Sequence, residues 1–156
     1  MKGDSAIIDE LNSLLAEELT AINQYFVHGE MCENWGYEKL HKLIFHRSIA
    51  EMKHAEKLIE RVIFLDGKPI VSNLNEIHIG NEVPKQLRHD IDTEYAAVKH
   101  YNQAIKLSRD KADSGTRDLL EGILKDEEGH VDEIEALQDQ IKQIGLQIFL
   151  GTQTEE

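Results

Sequence analysis

Glu51-Met52-Lys53-His54 decides how this chain is read, because a glutamate and a histidine three residues apart share one face of a helix and can hold a metal ion together. Glu127-Glu128-Gly129-His130 repeats that spacing. A further glutamate precedes each pair at one distance, 51 − 18 = 33 for Glu18 and 127 − 94 = 33 for Glu94. One pattern is therefore written twice, offset by 76 residues, and the same offset relates Tyr25 to Tyr101, Leu15 to Ile91 and Ile22 to Val98. Two single glutamates and two Glu-x-x-His pairs are the set with which four helices enclose a pair of iron or manganese ions.

Composition agrees with a helical protein. The 156 residues suffice for one domain with a sizeable core, expected to span residues 1–156. Only 2 prolines, beside 40% hydrophobic and 30% charged residues, argue for helices rather than disorder. The single cysteine, Cys32, rules out an internal disulfide framework and a Cys-x-x-Cys metal site, which points to a reducing compartment. Met1-Lys2-Gly3-Asp4-Ser5-Ala6 carries no signal-peptide run, and no stretch approaches the roughly 20 apolar residues of a membrane span. The expectation is a cytoplasmic protein that contacts neither membrane nor nucleic acid. Its net charge of −13 repels a phosphate backbone and attracts cations.

Apolar periodicity predicts helices over about 5–33, 38–66, 84–111 and 114–144, then a short apolar segment at about 146–150. Asp4 or Ser5 caps the first, Gly67 with Pro69 beyond stops the second, Pro84 opens the third, and Ser114 caps the fourth. Residues 67–83 lack helical period. A connection that long can cross the whole bundle and make the second and third helices parallel, with Ile70-Val71 and Ile77-His78-Ile79 lying extended against it. A second apolar strip on the second helix, Phe45, Ile49, Met52, Ile59 and Ile63, predicts a partner subunit.

Glu18, Glu51, His54, Glu94, Glu127 and His130 all fall on inward stripes. Four carboxylates balance two divalent ions, and oxygen and imidazole donors without thiolate favour iron or manganese over structural zinc. For Met52, spacing alone leaves ordinary packing beside axial haem ligation. Tyr25, seven residues after Glu18, either only packs, or hydrogen-bonds a ligand or donates an electron.

The segments Glu17-Glu18-Leu19-Thr20-Ala21, His46-Arg47-Ser48-Ile49-Ala50-Glu51-Met52-Lys53-His54-Ala55-Glu56, Lys125-Asp126-Glu127-Glu128-Gly129-His130 and Gly145-Leu146-Gln147 resemble the bacterioferritins over essentially the whole chain. Methionine directly after the first Glu-x-x-His glutamate is the particular mark. The resemblance implies an all-α, ferritin-like four-helix bundle with a long crossover between helices two and three and a short fifth C-terminal helix. It implies a 24-subunit homo-oligomeric shell built from two-fold dimers, storing iron as mineral. It further implies a ferroxidase site at which Glu18 and His54 bind one iron, Glu94 and His130 the other, and Glu51 and Glu127 bridge. Dioxygen or hydrogen peroxide would be the oxidant, Met52 would ligate haem b, and a ferredoxin-type protein is a candidate electron donor. The competing expectation is a haem-carrying di-metal peroxidase, catalase-like enzyme or electron-transfer cage without substantial storage. Some members use a histidine and an aspartate for an additional inner-surface iron; here His46 stands beside Ala50, and Arg47 replaces an acidic residue and is expected to pair with Glu51.

Overall fold

The computed structural model describes residues 1–154; Glu155 and Glu156 lie outside the described residues. Five helices follow in order: α1 Ser5–Asn34, α2 Glu38–Phe64, α3 Val83–Asp110, α4 Ser114–Ile144 and the short α5 Leu146–Gly151. α1 packs chiefly on α2 and α3 on α4, and the α1–α3 seam joins the two hairpins. The result is the all-α bundle with a long crossover and a fifth short helix that the sequence predicts. Among the described residues, no helix is long and apolar enough to cross a membrane.

Local chemistry sets the helix ends. Asp4 caps α1, its Oδ1 accepting from the Ala6 N–H at 2.8 Å. α4 is capped by Asp113 rather than by the expected Ser114: Thr116 N–H donates to Asp113 Oδ1 at 3.0 Å and Thr116 Oγ1 donates to Oδ2 at 2.7 Å. The aspartate wins because its Oδ1 also accepts a charge-assisted hydrogen bond from Arg61 Nη2 at 2.9 Å. α2 stops at Phe64, two residues short of the expected Asp66, since Asp66 itself adopts the left-handed conformation with φ 59°. Gly67 serves space instead of turn geometry: a Cβ there would stand 2.7 Å from Ile8 Cγ2.

The apolar core divides into two clusters. Ile7, Leu11, Leu14, Leu58, Val62 and Leu120 represent one, and Leu40, Ile44, Leu87, Ile134 and Phe149 the other. Each fully buried aliphatic side chain contributes about 1.5–3 kcal/mol, so both clusters clamp the four helices. Along every long helix the acid and imidazole residues fall in the gap between the two clusters. Phe149 anchors α5 to the second cluster, fully buried, while Lys39 N–H donates to Gln153 O at 3.0 Å.

The crossover is an extended strap running alongside α1. Side chains of α1 hold its backbone at intervals: Asn12 Oδ1 accepts from Ile70 N–H at 2.9 Å, Thr20 Oγ1 from Asn75 N–H at 2.8 Å, Gln24 Oε1 from His78 N–H at 3.2 Å and His28 Nε2 from Gly80 N–H at 3.0 Å. These positions differ by multiples of four and so follow one i, i+4 row, which winds about 160° round α1 between Asn12 and His28. Backbone donors of a strap without strand partners are thereby satisfied. Gly80 fits because a Cβ would approach Gln86 N to 2.5 Å.

The outward strip of α2 lies bare. Phe45, Met52, Ile63 and Phe64 are 41%, 44%, 58% and 50% exposed, an apolar band of the kind that marks an association surface.

Candidate metal centre

Midway along the bundle each long helix turns one or two polar groups inward. Glu18 comes from α1, Glu51 and His54 from α2, Glu94 from α3, and Glu127 and His130 from α4. The five other than His130 are at most 2% exposed, a placement that charged groups reach only when paired or when coordinating metal. They converge in two overlapping sets. Ligand atoms of Glu18, Glu51, His54 and Glu127 lie within 4.8 Å of one another, and so do those of Glu51, Glu94, Glu127 and His130. Glu51 and Glu127 belong to both, as groups shared between two neighbouring ions would.

Two tyrosines fix the unshared glutamates crosswise. Tyr101 of α3 donates to Glu18 Oε1 at 2.5 Å, and Tyr25 of α1 donates a short hydrogen bond to Glu94 Oε1. One oxygen of each carboxylate is thus occupied, which turns the other inward. Glu18 Oε2, Glu94 Oε2, Glu51 Oε1, both Glu127 oxygens, His54 Nδ1 and His130 Nδ1 have no hydrogen-bond partner. His54 Nδ1 and Glu127 Oε1 stand 2.8 Å apart, yet without hydrogen-bond geometry. The others crowd in the same way, His130 Nδ1 lying 3.1 Å from Glu51 Oε1 and His54 Nδ1 3.4 Å from the same oxygen. Buried groups without hydrogen bonds each cost about 1–3 kcal/mol, so seven in one place fit a site that a cation would relieve.

The electrostatics agree. Burial, then the charges of Glu18 and Glu94, push the Glu51 carboxyl well above its ordinary range; burial and Glu94, Glu51 and Glu18 do the same to Glu127. Burial works against a charged His54, but the carboxylates of Glu127, Glu18 and Glu51 outweigh it and raise its pKa. His130 is raised in the same sense, Glu94 overcoming burial. Glu94 goes down to about 2, because contacts with His130, Glu127 and Tyr25 overcome its burial. The carboxylates therefore compete for protons as they would for cations. Hard oxygen donors with one imidazole per centre fit iron or manganese.

One contact escaped the sequence reading. His54 Nε2 lies 2.9 Å from Asp126 Oδ2, an arrangement that orients an imidazole for a metal on its other nitrogen. The signal was Asp126 next to Glu127, which on a helix surface reads as one more solvated acid. The expected Arg47–Glu51 pair is absent. Arg47, 2% exposed, instead donates to Glu133 Oε1 at 2.7 Å, lies 3.7 Å from Asp90 Oδ2 and stacks 5.2 Å over the Tyr25 ring. Glu51, only about 40° round the helix from Arg47, faces the centre, while the guanidinium turns toward acids of α3 and α4. His46 is exposed.

A helical bundle with paired Glu-x-x-His motifs facing inward defines a class, and comparison agrees: the ferritin-like domain family matches residues 8–144. The chain belongs to the bacterioferritins within that family. It is 40% identical over 154 residues to a bacterial ferritin of Synechocystis, covering 98% of this chain and 99% of that one. It is 38% identical over 149 residues to a bacterioferritin of Mycolicibacterium paratuberculosis, covering 96% and 94%. To the bacterioferritin of Rhodobacter capsulatus it is 40% identical over 153 residues, covering 98% and 91%.

Proposed function

We propose that this protein stores iron and oxidises it on entry, with Fe(II) as substrate of the buried centre. The observation that carries this reading is the set of inward carboxylate and imidazole atoms without partners. Glu18 with His54 receives one Fe(II), Glu94 with His130 the other, and Glu51 and Glu127 bridge, consistent with their place in both ligand sets. Each ion gives one electron to dioxygen; two electrons and two protons yield hydrogen peroxide and two Fe(III). Peroxide serves as the alternative two-electron acceptor. Carboxylate oxygens favour the Fe(III) product, and a single imidazole per ion leaves room for the oxidant. Ferric product then passes to mineral inside a 24-subunit cytoplasmic shell of two-fold dimers.

Haem b fits the exposed face of α2. Met52, 44% exposed on the apolar strip, would hold the haem by its thioether together with the same residue of a two-fold-related subunit. When bound, haem supplies electron transfer, with a ferredoxin-type donor as the natural partner. The chain's own part is to bind the ring and exclude water from its faces.

The test is anaerobic loading with Fe(II) followed by oxygen. A fast absorbance rise that saturates at about two irons per chain is expected, and its persistence at full rate in Glu18→Ala and His130→Ala would overturn the reading.

A further inference from the structure

The α1–α3 seam carries a second group of ligand-type side chains on its solvent side, away from the buried centre. A cavity of about 460 Å³ opens there between the strap and the two helices, and its lining includes Glu17, Thr20, Glu76, His78, His89 and Asp92. His78 comes from the strap and His89 from α3, and their rings face each other at 5.6 Å between centroids and 26° between planes. Among the described residues neither ring nitrogen of either histidine has a hydrogen-bond partner, so four imidazole nitrogens remain available at the cavity wall.

The placement is held rather than incidental. His78 N–H donates to Gln24 Oε1 at 3.2 Å, and the amide of the same glutamine donates to Asp90 Oδ1 at 2.9 Å and Thr93 Oγ1 at 3.1 Å. One buried glutamine thus ties the strap to α3 and sets His78 against His89. Asp92 follows His89 by three residues, so both leave the same side of α3, while Glu76 and His78 leave the strap two residues apart on the same side of an extended chain. Each wall therefore supplies one imidazole and one carboxylate.

We propose that His78 and His89, completed by Asp92 or Glu76, form a site for a single divalent first-row transition-metal ion, separate from the buried pair. Two imidazoles and a carboxylate select zinc, cobalt, nickel or Fe(II) over calcium or magnesium. As they stand, these side chains do not bring three ligand atoms within 4.8 Å of one another; the exposed carboxylates and the two imidazoles would close on the ion by side-chain rotation, with solvent supplying the remaining position. The surrounding acids, Glu17 among them, draw cations to the mouth. The site lies over the same stretch of seam as the buried centre, since Glu17 adjoins Glu18 and Thr93 adjoins Glu94. It does not depend on the iron-oxidation reading.

Equilibrium dialysis of the assembled, metal-free protein against Co²⁺, with anomalous scattering at the cobalt edge from crystals grown in the same solution, tests this. One ion per chain beyond the buried positions is expected, as a peak about 2.0–2.2 Å from a nitrogen of each imidazole. His78→Ala combined with His89→Ala should remove that ion and leave the buried ones; both side chains touch solvent, so the fold is not at risk. Glu18→Ala should leave the outer peak intact. No peak between the imidazoles, or an unchanged ion count in the double variant, overturns the proposal. Outer filling with empty buried positions would instead count against the iron-oxidation reading and leave this site standing.

Discussion

His54 and His130 hold equivalent places, 130 − 54 = 76 residues apart, but the two halves of the bundle support them differently. His54 is 2% exposed and its outer nitrogen meets Asp126; the His130 side chain is 14% exposed, and among the described residues its outer nitrogen meets nothing. The reason lies one residue before each shared glutamate. Asp126 precedes Glu127, while its counterpart 76 residues earlier, before Glu51, is Ala50. The strap adds a second difference. Thr20, Gln24 and His28 of α1 correspond to Ala96, His100 and Ala104 of α3, because only α1 has a crossover to hold. Met52 corresponds to Glu128, so α2 presents a thioether on its outer face where α4 carries an acid. The repeat keeps the groups that face the buried centre, and the two halves differ where their surroundings differ.

Removing a ligand from either half should have the largest effect. Glu18→Ala and Glu94→Ala are each expected to slow the fast phase of Fe(II) oxidation by more than about 100-fold, as even outer-sphere partners cost about 10–100-fold. Stopped-flow traces on both variants check whether the halves are equivalent at this level; a large inequality would break the comparison.

The outer partners should then separate them. Asp126→Ala is expected to weaken metal binding by about 10–100-fold by freeing His54, while Ala50→Asp should strengthen it by supplying the tether that His130 lacks. Titration of Co²⁺ into each variant reads both directions. An unaffected Asp126→Ala would show that the His54 contact does not orient the ring.

The pH dependence of the metal-free protein follows from the same groups. Glu51 and Glu127 titrate above their ordinary 4.5, so the folded state keeps protons that the unfolded chain releases, and stability falls as pH rises beyond that value. His54 and His130 sit above the ordinary 6.5; their contribution is complete below it and fades as pH climbs through the raised values. Glu94, at about 2, works the other way and matters only as pH falls below its ordinary 4.5. Thermal melts should therefore show the metal-free Tm falling from about pH 5 to about pH 8, with metal abolishing the fall because bound cations displace the protons.

The strap and the cap give the smaller effects. His28→Ala, which leaves buried Asp90 and the Gly80 N–H short of a partner, should cost about 1–3 kcal/mol in urea unfolding, whereas the equivalent Ala104 position has no such bond to lose. Asp113→Ala should cost about 1 kcal/mol through the α4 cap, and Ser114→Ala close to nothing.

These differences also mark what could be read from the chain before folding. The helices, the crossover and the six inward groups were legible because periodicity and a repeated spacing leave a mark in one dimension. The bare strip around Met52 was legible for the same reason. Asp126, the Arg47 partners and the α1 ladder were not. Each depends on which neighbour a polar side chain meets across the bundle, and Asn12, Thr20, Gln24 and His28 in a row look like any solvated helix face. Arg47 shows the limit clearly, since adjacency on one helix suggested Glu51 while the lower-cost partners, Glu133 and Asp90, come from other helices. The cap of α4 was missed by one position because Asp113 and Ser114 are both good capping types, and only Arg61 decides between them.

The ladder makes residues 70–80 a measured length rather than a slack connection. The sixteen residues of α1 between Asn12 and His28 advance about 24 Å at about 1.5 Å per residue, and the ten strap steps between the matching pins would reach about 33 Å if fully drawn out, so the spare length along the axis is about 9 Å, under three residues. Deleting or inserting one residue there would shift every later pin by a register step. Surface connections elsewhere tolerate such length changes, but this one should drift in composition while keeping its residue count.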